Sequence, residues 1–214
     1  MTIYDLVFIV GFLCTVGALI VAAVQALRGR RRQAGRTLVR TAVAVAAYLM
    51  VVVVVSLATP RRILPQSERR CWDEWCLAVE RVTRTDSIGP SVVAAPGDFL
   101  YVVDVRVSNL GRRRRQRERG VVLYLLDASA VRYDPDLEGE RALAASGRAG
   151  DPLDSPMAPG GSFVHRVAFR VPRNAAGLGL VKEGNGPAAF VIADNESLFH
   201  KRTMTRFDVV ESGK

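Results

Sequence analysis

FLYVVDVRVSN, residues 99–109, decides how the larger part of this chain folds. Val103, Val105 and Val107 fall on one side of an extended chain, with Asp104, Arg106 and Ser108 on the other, the period of two that marks a half-buried β-strand. A helix would repeat its apolar positions every three or four residues instead. Upstream, LAVERV (77–82) alternates more loosely at Leu77, Val79 and Val82. Downstream, VVLYLLDASAVRY (121–133), SFVHRVAFRVP (162–172), GLGLVKE (177–183), AAFVIAD (188–194) and TMTRFDVV (203–210) follow as further strand candidates. Gly, Pro, Asn and Asp turns separate them. Many short strands without long helical periodicity predict an all-β, immunoglobulin-like sandwich over residues 77–212. The exception is DLEGERALAASG (136–147), whose Ala, Leu and Glu content predicts a short helix. Nothing repeats internally.

Ahead of this region stand two uncharged apolar runs, LVFIVGFLCTVGALIVAAVQAL at 6–27 and TAVAVAAYLMVVVVVSLA at 41–58. As helices they would be about 27 to 33 Å long, the thickness of a bilayer's hydrocarbon core, so residues 1–59 are expected as a hairpin of two transmembrane α-helices. A soluble core helix rarely runs so far without a charge. A cleaved signal peptide fits poorly: the head MTIYD lacks Lys and Arg and carries Asp5, and the second run, although it ends in Ser56-Leu57-Ala58, begins 40 residues into the chain. The intervening loop at 28–40, RGRRRQAGRTLVR, holds Arg28, Arg30, Arg31, Arg32, Arg36 and Arg40. The stretch after the second run holds four arginines, Arg61, Arg62, Arg69 and Arg70, and the N-terminal tail none. Such a bias places the loop in the cytoplasm and both termini outside. Gly11, Cys14, Ala18 and Ala22 form a small-residue face that lets a helix approach closely, either the second helix of this chain or a neighbouring protein.

Residues 60–76 mix Pro and charge and read as a short stiff linker ending in RCWDEWC (70–76). Cys71 and Cys76 in an oxidising compartment would form a disulfide. Zinc would need two more ligands from His165 and His200, both remote in sequence, and the spacing is wrong for a CxxC redox pair. Closing so small a loop stabilises it by about 2 kcal/mol. Trp72 and Trp75 would either anchor at the headgroups or pack beneath the outer domain, and the 14 residues separating Ala58 from Trp72 favour packing.

The chain carries a net charge of +9. GRRRRQRERG (111–120) concentrates that charge: Arg112, Arg113, Arg114, Arg115, Arg117 and Arg119 against Glu118 alone. It is expected as an exposed loop, and its arginines are candidate contacts for membrane lipid or an anionic envelope polymer. The alternative is a solvated turn that aids solubility. Nucleic acid is excluded as a partner, because the loop lacks the aromatic side chains on which bases stack. YDPDLEGE (133–140) gathers Asp134, Asp136, Glu138 and Glu140, but an EF-hand starting at Asp134 would have Ala145 in place of its bidentate Glu. A looser oxygen-ligand site or a plain acidic loop remain open. No motif partners His165 or His200, no Ser stands on a nucleophile elbow, and Asp194, Asn195 and Glu196 suit a tight turn. No catalytic residue, metal or cofactor is expected.

VRVSNLG (105–111), VVLYLLDASAVRY, and MAPGGSFVHRVAFRVP (157–172), in which a turn at Ala158-Pro159-Gly160-Gly161 precedes a long strand ending Val-Pro, together resemble the telokin-like, immunoglobulin-fold domains of unknown function carried by bacterial lipoproteins and membrane proteins. IADNESLFHKRT (192–203) is similar to the closing segment of a related group of small membrane-anchored proteins. The likeness covers roughly 77–210 and implies a fold and an extracytoplasmic location, with no activity attached. The chain departs from the lipoprotein form in having no lipobox cysteine. Of the 30 basic residues 27 are Arg, which suits a high-GC bacterium. The expectation is a two-pass protein of the bacterial cytoplasmic membrane, non-enzymatic, whose outer domain is an interaction or scaffold module. Its partners would be membrane lipids and another envelope protein or anionic polymer. The alternative is a sensor or accessory subunit of a larger membrane complex that detects a ligand or cation.

Overall fold

A computed structural model describes residues 3–72, 74–184, 190–191, 197 and 199–211. The chain forms two compact units: a helical one, Met1–Arg61 with Gly186–Lys201, and a β unit, Arg62–Asn185 with Arg202–Lys214.

In the helical unit α1 (Ile3–Leu27) and α2 (Arg31–Ala58) are each long and apolar enough to cross a bilayer. They pack as an antiparallel pair. Ala22 and Ala34 are only 3% and 5% exposed, since small side chains let helix backbones close on one another, and Thr37 Oγ1 donates to Gln25 Oε1 at 3.2 Å across the pair. The loop expected at 28–40 is in fact a short turn, because α2 starts at Arg31. Arg, Gln, Ala and Leu are good helix formers, and without a Pro the charge alone does not stop a helix. Arg32, Arg36 and Arg40 therefore lie on one helical stripe, four residues apart.

The β unit has two five-stranded sheets and a small hairpin. The first sheet runs in the order β1 (Ile63–Leu64), β11 (Met204–Arg206), β10 (Gly179–Glu183), β7 (Val122–Leu126), β8 (Arg132–Tyr133). The second runs β12 (Val210–Glu211), β3 (Trp75–Thr85), β6 (Asp98–Asn109), β9 (Ser162–Pro172), with β2 (Arg70–Trp72) also on β3. β4 (Ser87–Ile88) and β5 (Val92–Val93) make the hairpin. The result is a β-sandwich-like domain following two apolar helices.

Its core is the inner face of both sheets. Val103, Val105 and Val107 of β6 and Phe169 of β9 are fully buried and meet Leu123 and Leu125 of β7 and Leu180 of β10. The even positions of β6 do not all face water. Leu100 and Val102 pack on the sheet's other face against Ile88, Val92, Ala142 and Leu143. A strand covered on both faces reads as a continuous apolar run, which is why LYVV loses its alternation before DVRVS regains it.

The expected helix appears as α3 (Leu137–Ala145), and it protects an edge. β9 is a long edge strand, and such edges pair with other chains unless covered. Here the segment flanking α3 occupies the open side: Asp136 N donates to Ala168 O at 2.8 Å and Arg166 N to Ala149 O at 2.8 Å. Gly150, at φ 73°, comes so close that a Cβ there would overlap the Val164 carbonyl.

Glu140 on α3 is partly buried, and burial raises its carboxyl above the ordinary Glu value, opposed by His165 and reinforced by Asp136. A folded-state value above the unfolded one means a contribution present at acid pH and lost as pH rises through the raised value. Glu140→Gln is therefore expected to raise the unfolding temperature at neutral pH and to leave it unchanged below the Glu range. The two tryptophans, both in the β unit, report that transition by fluorescence. A variant less stable at neutral pH would refute this.

The stretch 60–76, expected as a linker, enters both sheets. Ile63 and Leu64 pair in parallel with Met204 and Thr205, and residues 70–77 form a hairpin with Cys71 opposite Cys76. Leu64, an apolar residue between charges, supplies the reason: it is 4% exposed and needs a sheet to cover it. Most of the candidate strand AAFVIAD and half of the 192–203 segment fall outside the described residues.

Candidate functional site

The site is a corner of the β unit where three turns meet: the tip of the β2–β3 hairpin, the arginine-rich segment after β6, and the turn before β9. Asn109, the last residue of β6, ties them. It is fully buried. Its Nδ2 donates to Arg114 O at 2.9 Å, Ala158 O at 3.2 Å and Met157 O at 3.3 Å, and its Oδ1 accepts from Gly111 N at 2.9 Å. Its backbone also pairs with Gly160 and Gly161. One amide thus folds the arginine segment back over the Ala158-Pro159-Gly160-Gly161 turn.

Glu74 holds the other side. Its carbonyl accepts from Leu110 N at 2.8 Å, and its carboxylate accepts from Gln116 Nε2 at 2.7 Å. The backbone of Gln116 pairs with Met157 in both directions, at 3.0 and 2.8 Å. Gly111 passes so close that a Cβ would overlap the Glu74 carboxylate. Beneath Glu74 the disulfide joins Cys71 to Cys76, with their Cα atoms 3.9 Å apart. The disulfide hairpin and the arginine segment, separate features in the sequence, are therefore one structure.

Trp75 is 2% exposed and lies in the core, with Trp72 partly buried beside it at a ring separation of 5.7 Å. They serve the sandwich. Arg70 and Lys182 stand over the Trp72 ring at 4.5 and 4.3 Å. Lys182 is only 5% exposed, and a cation in that position gains from the ring's negative face.

Arg112, Arg113, Arg114 and Arg115 are exposed, and among the described residues no carboxylate lies within ion-pairing distance of them. Arg117 differs: its Nη2 and Nε reach Asp154 Oδ2 and O at 2.7 and 2.8 Å. That hydrogen bond holds the Asp154 carboxyl below its ordinary value, and Arg119 adds to the field. The loop is therefore anchored at 109, 111, 114, 116 and 117 and presents, between the anchors, guanidinium groups that have no carboxylate partner among the described residues. A loop fixed by its own hydrogen bonds loses little entropy when it binds. Arginine's planar fork matches phosphate and carboxylate oxygens.

The other candidates do not converge. Asp134 and Asp136 pair with Arg132 and Arg170 at 2.7 and 3.1 Å, and among the described residues no group of three or more His, Cys, Asp or Glu could hold a metal. His165 Nδ1 lies 2.9 Å from Asp151 O beside the Gly150 edge seal. His200 is near a turn, its N donating to Ser197 O. Asp194, Asn195 and Glu196 are outside the described residues, and Cys14 is exposed on α1.

Asn109 was not singled out by sequence, and its position at the end of VRVSN is the one signal that could have marked it. Asn109→Ala would strip the Arg114 carbonyl and the Gly111 N–H of the side-chain partner that holds them, and take one of two donors from the Met157 and Ala158 carbonyls, which keep Gln116 N and Gly161 N, so a loss of about 3 kcal/mol of β-unit stability is expected. Chemical denaturation checks this; a loss below about 1 kcal/mol would show that water replaces the amide freely.

No protein-family profile matches the chain, and no curated protein does. Several solved structures resemble part of it. A conserved hypothetical protein from Bacillus anthracis matches at 13% identity over 56% of this chain and 89% of its own, with a TM-score of 0.46. The yjhA protein of Bacillus subtilis matches at 12% identity over 68% of this chain and 99% of its own, TM-score 0.46. An uncharacterized beta-sandwich protein from Clostridium difficile 630 matches at 9% identity over 70% and 94%, TM-score 0.40. The neighbours are thus bacterial proteins without an assigned function.

Proposed function

We propose that this is a two-pass protein of a bacterial cytoplasmic membrane whose immunoglobulin-like domain, outside the cell, is a non-enzymatic interaction module that binds an anionic partner through the arginine loop. The observation that carries the reading is the loop itself: exposed guanidinium groups without ion-pair partners among the described residues, on a backbone anchored from both ends. The telokin-like label belongs to the same reading and draws on two mainly antiparallel sheets around one core. Two apolar helices and a disulfide favour the location, since disulfides persist in oxidising compartments.

The test is binding of the full-length protein, in zwitterionic detergent, to a glycerol-phosphate polymer at increasing salt. Salt-sensitive binding supports the reading, and absence of binding at low salt defeats it. Location is checked separately with a membrane-impermeant maleimide on intact cells. Cys71 and Cys76 are expected to label only after reduction; labelling only after lysis would put the β unit in the cytoplasm.

A further inference from the structure

The two apolar runs are out of step. In the antiparallel pair the Thr37–Gln25 hydrogen bond and the shared groove wall of Ala18 and Arg40 place Arg40 beside residues 18–22 of α1. α1 stays apolar to Leu27. Arg36 and Arg40 consequently stand next to apolar helix, at a depth where an uncompensated charge is costly, while Arg32 lies at the turn end of the stripe. The two helices contain a single acid, Asp5, in the first turn of α1 and so at the opposite end of the pair.

A recess continues from this stripe. Arg32, Gly35, Arg36, Val39 and Arg40 line a shallow depression. Arg40 also borders a groove of about 720 Å³ between the helices, carved by the small residues Gly11, Cys14, Ala18 and Ala44, a volume in the range of ligand clefts. From Ala18 to Val7 it runs about 16 Å along α1, roughly half of a hydrocarbon core about 30 Å thick. Tyr48 closes the far end, its hydroxyl donating to Phe190 O at 2.7 Å.

Resting on the membrane reading above, we infer that this recess is a binding site for an anionic phospholipid of the arginine-side leaflet. The phosphate lies against Arg36 and Arg40, and one acyl chain fills the groove toward Tyr48. Charge complementarity selects the headgroup, and the groove's one-leaflet length selects a chain over a free ion. The small-residue face is then a chain-width channel as well as a packing face, and the lipid supplies the countercharge that the helices lack.

The experiment reconstitutes full-length protein in nanodiscs of equal phosphatidylglycerol and phosphatidylcholine, re-extracts it in mild detergent, and counts retained lipid by native mass spectrometry. Two arginines near a phosphate predict about thirtyfold enrichment of phosphatidylglycerol. Arg36→Gln with Arg40→Gln should abolish that enrichment, and Ala44→Leu, which fills the groove without touching charge, should reduce retained lipid of either kind. Excess inorganic phosphate should displace nothing. Equal retention of the two lipids, enrichment that survives the double substitution, or displacement by phosphate overturns the inference. A protein that leaves the membrane on carbonate extraction would overturn the membrane reading itself, a distinct result.

Discussion

Trp75→Ala is expected to remove about 4 kcal/mol of β-unit stability, the upper range for truncating a buried aromatic. The side chain is 2% exposed within the main core and carries the hairpin whose tip is Glu74. Its Nε1 is buried without a hydrogen-bond partner among the described residues, so its value is packing and ring contact rather than polarity. Trp75→Phe should therefore cost much less than alanine, since no hydrogen bond is lost and most of the volume stays. Denaturant unfolding followed through Trp72 separates the two. Amide exchange at Leu110 and Gln116 should quicken in the alanine variant, because their anchor at Glu74 moves with the hairpin. Equal costs for Phe and Ala would mean that the indole nitrogen has a partner and that the packing account is wrong.

Replacing Arg112, Arg113, Arg114 and Arg115 together by Gln is expected to weaken binding to an anionic polymer or surface about a thousandfold. Each arginine near such a surface contributes about 1 kcal/mol, and about 1.4 kcal/mol is tenfold in affinity. Stability should not change, because these side chains have no ion pair among the described residues. Binding by the unaltered protein should fall steeply with salt, as the screening length drops from about 10 Å at about 0.1 M to about 3 Å at about 1 M. The variant's residual binding should be nearly flat. Unchanged affinity in the variant would remove the loop from the proposed function, whatever the location of the domain.

These two results probe one site from below and from above, and its parts were unequally legible. The strands of 99–109 and 162–172 could be read because period two is a local property of the chain. The disulfide could be read because its cysteines are neighbours. The linker at 60–76 misled because β1 and β2, two and three residues long, are too short for a periodic signal, and the pairing partners of β1, Met204 and Thr205, are far away in sequence. The start of α2 at Arg31 was obscured by charge, which marks a membrane boundary in sequence without marking the end of a helix.

By itself the sequence determined the strand-rich domain, the two bilayer-length apolar helices, the paired cysteines and the concentration of arginine at 112–119. Tertiary structure alone decided that the cysteine hairpin and the arginine segment form a single corner, through Asn109 to Met157 and Ala158 and through Glu74 to Leu110 and Gln116. The physical reason is range. Periodicity and spacing express forces between near neighbours, whereas a buried amide chooses among carbonyls that only the packed sheets bring within 3.3 Å.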